Sequence, residues 1–94
     1  MRLIKFRGRN WKSELVYGSY CYTHFTDTDY AVHAIIDEYG EEWRVDPDDV
    51  AQFVGCDKTG VEVYEGDTLV DELENEFVAE IYMRPEQIER LILR

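Results

Sequence analysis

Apolar and polar residues alternate over most of this chain, which is the pattern of β-strands that place one face in a core. The alternation predicts a first strand over residues 2–7, with Ile4 and Phe6 on one face. Further strands are predicted where β-branched and aromatic residues cluster, at residues 15–23, 30–36, 42–45, 61–64, 68–70 and 77–83. Residues 30–36 are apolar on both faces, so we expect this strand to be the most buried.

Glycines and small polar residues mark the corners between these strands. The predicted turns are residues 8–13, 26–29, 38–41 (with Gly40 at a positive φ), 57–60 and 65–67. Gly60 stands last in its turn, where a type I turn favours glycine, and Gly66 supplies the unusual dihedral angle of the next corner. The carboxylate of Asp67 is placed to accept backbone amides there. Between these corners we expect Val61 and Val63 to point inward and Tyr64 outward.

Residues 47–54 carry the signals of a short helix. Asp46 suits the N-cap and Pro47 the first helical position, and acids follow where the helix dipole favours them. Apolar residues at i, i+3 and i+4 form one stripe, namely Val50, Phe53 and Val54. Gly55 then ends the predicted helix.

A second short helix is predicted to open at Pro85, with Ile88, Leu91 and Ile92 on one side. Short strands, glycine corners and two short helices indicate an α+β fold that is mainly β. We expect a small, partly open β-barrel of about six short strands. A chain of 94 residues is long enough for one modest core, so a single domain over residues 1–94 is predicted.

The charge is strongly negative and unevenly distributed. The net charge is −11, yet residues 1–12 hold five basic residues and no acid. Such a field repels phosphate backbones and anionic lipid, so we expect no direct nucleic-acid binding and no membrane association. No secretory signal and no membrane-spanning run are expected either. Three interpretations of the acidity stay open: solubility alone, binding to a cationic or DNA-binding protein, and mimicry of nucleic acid.

Aromatic residues make up 14% of the chain, more than so small a core needs. Tyr17 has the opposite strand parity to Tyr20 and Tyr22, so the three rings are predicted to face two ways. Basic and aromatic residues near the start therefore form the candidate interaction surface, which comprises Lys5, Arg7, Arg9, Trp11, Tyr20 and Tyr22. The alternative is that the tyrosine rings cap the ends of the barrel.

Two groups of residues are candidates for a reactive site, one for zinc binding and one for acid–base catalysis. Cys21, His24, His33 and Cys56 could bind zinc together only if the fold gathered them. Cys21 and His24 are three apart along a strand and so point to opposite faces, and we expect no metal and no cofactor. Glu65 and Asp67 could act as acid and base, but no phosphate loop or nucleophile set accompanies them, so no catalysis is expected. A small hydrolase that uses these two carboxylates is the remote alternative.

Three stretches resemble the YopX-like family of small phage and prophage proteins. Residues 4–8 read IKFRG, residues 16–18 read VYG, and residues 45–70 read VDPDDVAQFVGCDKTGVEVYEGDTLV. The family pattern is an IKFRG start, a WVYG strand, VDPxTVxQFxG and then DKxGxxIYEGDxV. The resemblance covers roughly residues 2–70. Its structural motif positions in this chain are Asp46, Pro47, Gly55, Gly60, Tyr64, Gly66 and Asp67.

The family has no established biochemical activity, so the resemblance implies where the protein comes from and does not imply a reaction. It implies a phage- or prophage-encoded protein of the bacterial cytoplasm, with a non-catalytic interaction or accessory role. The expected partner is a second copy of the chain or a phage or host protein. The alternative role is an acidic inhibitor, or nucleic-acid mimic, of a host DNA-binding or defence protein.

Overall fold

The computed structural model describes residues 4–24 and 31–94. These residues form nine strands, one turn of 3₁₀ helix and one short α-helix, so the prediction of a mainly β fold is confirmed. The strands are β1 (Phe6–Arg9), β2 (Leu15–His24), β3 (Ala31–Ile36), β4 (Glu42–Arg44), β5 (Ala51–Cys56), β6 (Glu62–Tyr64), β7 (Thr68–Val70), β8 (Glu76–Val78) and β9 (Ile92–Leu93). The α-helix, α1, is Pro85–Ile88.

The chain divides into two compact units. One unit is Lys5–Val50, and the other is Ala51–Arg94 together with Ile4. Within each unit the described strands form open antiparallel sheets, which corrects the expectation of a barrel. The single domain over residues 1–94 stays a prediction.

In the unit Lys5–Val50 the strands lie in the order β4-β3-β2-β1. β3 lies between β2 and β4, and Ala34 and Ile35 are buried, but Ile36 is exposed. The prediction that this strand is the most buried is wrong, because β5 has more buried residues. Gly8 allows close packing at the centre, because a Cβ atom there would lie 3.1 Å from Ile35 Cδ1 and 3.2 Å from Val45 Cγ1. The sheet of this unit therefore has its core along Gly8, Ile35 and Val45.

Gly18 of β2 is also fixed by packing. It pairs with Phe6 of β1, and a Cβ atom there would lie 1.9 Å from the backbone oxygen of Ile36. A backbone atom has no rotamer by which to move away, so only glycine fits without a shift of β3. The glycine of the VYG stretch thus has a steric cause.

The unit Ala51–Arg94 contains the antiparallel pair β5–β6 and a three-stranded antiparallel sheet in the order β8-β7-β9. Apolar side chains from these strands and from α1 form one core, comprising Val54, Val63, Leu69, Ala79, Ile88 and Leu91. The short helix at Pro85–Ile88 confirms the predicted C-terminal helix, and Ile88 is its buried residue. Ile92 continues as a strand, not as part of the helix.

The predicted helix over residues 47–54 is wrong beyond its first turn. Pro47–Asp49 forms a single turn of 3₁₀ helix. The carboxylate of Asp46 caps this turn, since its Oδ1 accepts from the backbone N–H of Asp48 at 2.9 Å. The capping signal in the sequence therefore marks a real turn that is not extended into a helix.

The chain enters β5 directly after this turn. Phe53 and Val54 are both buried, and β-branched and aromatic residues favour a strand that is covered on both faces. The apolar spacing at i, i+3 and i+4 therefore does not mark a helix: Val50 follows the 3₁₀ turn, and Phe53 and Val54 lie in β5. Gly55 lies within β5 at a register shift opposite β6, and it does not end a helix.

The orientation of β6 differs from the prediction. Tyr64 was expected outside but is only 1% exposed, whereas Val61 was expected inside and is exposed. Both faces of β6 are covered, so Val63 and Tyr64 are both buried, and Val63 belongs to the core cluster with Val54. The ring of Tyr64 packs edge-on against Phe53, with centroids 5.7 Å apart.

Three strand boundaries also need correction. The first strand starts at Phe6 and includes Gly8 and Arg9, which were expected in a loop. The strand predicted over residues 77–83 ends at Val78, where the chain meets the 65–67 corner: Ala79 O accepts from the N–H of Gly66 at 2.9 Å, while Asp67 donates its own N–H to Tyr64 O at 3.1 Å. Residues 1–3 and the turn predicted at residues 26–29 lie outside the described residues.

Candidate functional site

Among the described residues, four hairpin loops share one design, and they position exposed side chains. In the β1–β2 loop, Asn10 Oδ1 accepts from the backbone N–H groups of Lys12 and Glu14, both at 3.0 Å. Asn10 also donates its own N–H to Glu14 O at 3.0 Å, which closes the loop. Ser13, the fourth residue, has φ 61°. One side-chain oxygen thus holds two amides of a five-residue loop.

Asp37, Asp57 and Asp71 begin the three other loops of this kind. The Oδ1 atom of each accepts the backbone N–H groups two and four residues later, at 2.8–3.0 Å. The fourth residue again has a positive φ, as in Gly40 (79°), Gly60 (89°) and Glu74 (63°). The loops are therefore held by local hydrogen bonds and not by packing alone.

These hydrogen bonds lower the pKa of all three aspartates. The indole of Trp43 has the largest effect on the pKa of Asp37, and the side chain of Asn75 has the largest effect on that of Asp71. For Asp57 burial acts to raise the pKa, but bonds from the backbone of Leu93 and from Thr59 outweigh it. The carboxylates are held in their charged form.

The register of β1 and β2 divides the predicted interaction surface. Arg7 lies opposite Tyr17 and Arg9 lies opposite Leu15, so these four side chains share one face. Leu15 is 41% exposed and Tyr17 is 40% exposed. Tyr20 and Tyr22 have the other parity and take the opposite face. We call Arg7, Arg9, Trp11, Leu15 and Tyr17 the β1–β2 surface.

Tyr20 and Tyr22 belong to an aromatic cluster around His33. The hydroxyl of Tyr20 is hydrogen bonded to His33 Nδ1, and its ring packs edge-on against Phe6 with centroids 5.6 Å apart. The ring of Tyr22 lies 5.0 Å from that of His33. Tyr20 is half-buried as a result, whereas Tyr22 is exposed. This cluster gives Tyr20 a packing role and does not place it beside the arginines.

Trp11 stands at the tip of the β1–β2 loop and is 78% exposed. The ammonium of Lys12 lies 5.0 Å from the centre of its ring, and Arg9 Nη1 donates to Ser13 O at 2.9 Å. An open groove of about 380 Å³ borders the loop. Its lining comprises Arg9, Asn10, Trp11, Ser13, Arg44, Val45, Asp46 and Asp49. Lys5 precedes β1 and is half-buried, and it lies outside the register Phe6–Arg9 that defines this face.

Sequence reasoning missed a second exposed apolar loop, at residues 71–75. Leu73 is 83% exposed and stands between Glu72 and Glu74, which are also exposed. Lys58 Nζ lies 3.8 Å from Glu72 Oε1. The signal in the sequence was the spacing: Asp71 repeats the arrangement that begins the loop at Asp57.

Both carboxylates of the 65–67 corner accept a backbone hydrogen bond. Glu65 Oε1 accepts from the N–H of Gln52, and Asp67 Oδ2 accepts from the N–H of Tyr64, both at 2.9 Å. Gly66 has φ 89° and donates to Ala79 O at 2.9 Å. The geometry gives these residues a role in closing the corner.

The thiols of Cys21 and Cys56 are free and half-buried. No group of three or more His, Cys, Asp and Glu side chains is gathered in the described part of the chain. The side chain of His24 lies outside that part. Over the same residues, no helix is long and apolar enough to cross a membrane. Comparison of the chain with family models, curated proteins and solved structures finds no match.

Proposed function

We propose that this chain is a non-catalytic interaction protein that binds an acidic protein surface through its β1–β2 surface. The observation that carries this proposal is the pairing of Arg7 with Tyr17 and of Arg9 with Leu15 on one face. Trp11 extends the same surface at the loop. Arginine, tyrosine and tryptophan are the residues that dominate binding energy at protein interfaces.

A protein partner suits this surface better than nucleic acid does. Leu15 is exposed beside Trp11 and Tyr17, and an aliphatic side chain gains free energy when it is buried against the apolar groups of a protein surface. Duplex binding depends on many phosphate contacts, whereas the rest of the chain is strongly acidic. A cluster of carboxylates on a partner protein can pair with these arginines at distances below the screening length of about 8 Å, beyond which the acidic remainder of the chain is largely screened.

The resemblance of residues 2–70 to YopX-like proteins supports a biological setting for this proposal. We place the protein among phage- or prophage-encoded accessory proteins that act in the bacterial cytoplasm. The glycine of the VYG stretch and the corner at residues 65–67 have clear structural causes in this chain. The proposed interaction surface lies in the N-terminal half of the matched stretch.

Differential capture from a bacterial lysate tests the proposal. The baits are the wild-type protein, an Arg9→Glu/Tyr17→Ser variant, and a control with Arg90→Glu/Tyr82→Ser. The control removes an exposed arginine and an exposed tyrosine at other positions. We expect a prey, identified by mass spectrometry, that binds the wild type and the control but not the first variant. Equal capture by all three baits would rule out this surface.

The acidic loop at residues 71–75 favours a second function, inhibition of a host DNA-binding protein by mimicry. Glu72 and Glu74 are exposed on a loop held by hydrogen bonds, so their charges stand in fixed positions. A mimic would compete with DNA for its target, and reversal of exposed acids would abolish that competition. The variant to use carries lysine at Asp48, Asp49, Glu72 and Glu74. Unchanged competition by this variant would exclude the mimic.

A further inference from the structure

We infer that the acidic partner of the β1–β2 surface is a second copy of this chain, which docks by its loop at residues 71–75. The inference rests on the proposed function and names the partner for the same surface. The contact is head-to-tail, because it joins two different surfaces of identical chains.

The loop at residues 71–75 is built to present Leu73. Asp71 Oδ1 accepts from the N–H groups of Leu73 and Asn75, both at 2.9 Å. Asn75 Nδ2 donates to Asp71 Oδ2 at 3.0 Å, which joins the two ends of the loop. Little conformational freedom remains to be lost when the loop binds, so association is less costly than for a flexible segment.

The β1–β2 surface is complementary to this loop in both charge and apolar character. Trp11, Leu15 and Tyr17 offer exposed apolar area to Leu73. Arg7 and Arg9 offer positive charge to the glutamates that flank it. Charge complementarity of this kind fixes the register of an interface and disfavours wrong partners.

The groove beside Trp11 is the place for the leucine side chain. Its volume of about 380 Å³ lies near the lower end of the range of binding pockets, about 300–1,000 Å³. Its own charges balance, because Arg9 and Arg44 line it together with Asp46 and Asp49. Arg7 lies outside the groove lining, opposite Tyr17, so we expect a glutamate of the docking loop to lie on the Arg7 side of the groove.

A contact between one loop and one sheet face is small, so the association is weak and depends on protein concentration. Its charged part is screened by salt. Identical chains joined head-to-tail also extend beyond two copies unless the assembly closes into a ring. The wild type should therefore increase in mass with concentration, and less so at high salt.

Complementary variants test the inference by light scattering and sedimentation. A loop variant carries Leu73→Ser and Glu74→Lys, and a surface variant carries Arg9→Glu and Trp11→Ser. All four positions are exposed, and circular dichroism serves as the check of folding. We expect each variant alone to remain at the monomer mass of 11.2 kDa. An equimolar mixture should form a species of twice that mass and stop there, because each pair has one intact loop and one intact surface.

Three results overturn the inference. The first is a wild type that stays at 11.2 kDa at every concentration and salt. The second is a loop variant that associates as the wild type does. The third is a mixture of folded variants that stays monomeric although the wild type associates, since that result means a symmetric interface. In each case a lysate prey that depends on Arg9 and Tyr17 would leave the proposed function standing.

Discussion

The β1–β2 hairpin of Lys5–Val50 exposes Trp11 beside basic residues, whereas the β7–β8 hairpin of Ala51–Arg94 exposes Leu73 between two glutamates. The loops that present these side chains have the same hydrogen-bonding design, starting at Asn10 and at Asp71. The residues around Trp11 are basic and those around Leu73 are acidic, although the hydrogen bonds of the two loop backbones are the same. The backbone conformation of these loops is therefore independent of the charge that they carry, so the charge can change while the conformation stays the same.

Each unit also contains one loop of this design with glycine at the fourth position and one without. Gly40 and Gly60 take the positive φ at little cost, whereas Ser13 and Glu74 take it against the preference of residues that carry a Cβ atom. The two loops without glycine are the ones that carry Trp11 and Leu73. Their backbone strain coincides with the surfaces that we propose for binding.

The largest effect should come from Gly18→Val. The new Cβ atom would lie 1.9 Å from the backbone oxygen of Ile36, so β2 and β3 must separate locally. We expect a loss of about 3 kcal/mol in the free energy of unfolding, measured by denaturant titration. Gly40→Val is the control for backbone strain without a clash, since its φ is 79° and no atom lies within 4 Å of its Cβ position, and it should lose less stability. A variant at Gly18 as stable as the wild type would refute the close approach of these strands.

Removal of the Asp57 side chain should have the next largest effect. This buried carboxylate accepts bonds from Thr59, Val61 and Leu93. Asp57→Ala leaves these donors without a partner, and we expect a loss of about 2 kcal/mol. Asp71→Ala, in an exposed loop of the same design, should lose less. Equal losses at the two positions would show that burial does not distinguish the loops.

The same carboxylate predicts the pH dependence of stability. The pKa of Asp57 is lowered in the folded protein, so the unfolded chain binds its proton first as the pH falls. Its contribution is complete above the ordinary aspartate pKa, about 3.9, and is lost as the pH falls through the lower folded value. Urea titrations from neutral pH to below pH 4 should show this loss. Asp57→Asn should flatten that part of the profile.

Gly66→Val should destabilise the unit Ala51–Arg94 by about 1–2 kcal/mol, through backbone strain alone. The φ of Gly66 is 89°, but no atom lies within 4 Å of its Cβ position. Asp67→Asn is the milder companion change, because the amide oxygen can still accept from the N–H of Tyr64. A denaturant midpoint unchanged by Gly66→Val would remove the strain argument.

The smallest effect, and the only stabilising one, is expected for Ser13→Gly and Glu74→Gly. Each replaces a residue at positive φ by one that adopts this conformation freely. We expect a gain of about 0.5–1 kcal/mol for each, from calorimetric melting or denaturant titration. Glu38→Gly, which is in a loop but has no positive φ, is the control and should not stabilise. A loss of stability at both sites would contradict the strained description of these loops.

The sequence predicted the elements in which local signals agree. In β2, β3 and β7, alternation and composition point the same way, and the turn at residues 57–60 carries both an acid and a glycine at the required spacing. The helix prediction over residues 47–54 was wrong because Phe53 and Val54 are adjacent in a strand with both faces covered, and Val50 only precedes that strand. The outward orientation predicted for Tyr64 was wrong because β6 is also covered on both faces, so alternation does not separate buried from exposed residues there.

The candidate site was predicted only in part, for a similar reason. Parity along β2 correctly separated Tyr17 from Tyr20, but it did not say which of them shares a face with Arg7. That depends on the register of β1 against β2, which the loop at Asn10 fixes. Leu73 was missed because a single apolar residue among acids has no periodic signal. Its exposure follows from the position of the loop and not from the pattern around it.

Three of the four hairpin loops begin with aspartate and one begins with Asn10. A carboxamide has no proton to gain in acid, so the bonds from Lys12 and Glu14 persist at a pH where those of Asp37, Asp57 and Asp71 are lost. Below the ordinary aspartate pKa, about 3.9, the backbone amides of the β1–β2 loop should therefore stay protected from hydrogen exchange longer than those of the other three loops. Of these four loops, the β1–β2 loop, which we propose for recognition, would thus be the last to lose its side-chain hydrogen bonds as the pH falls.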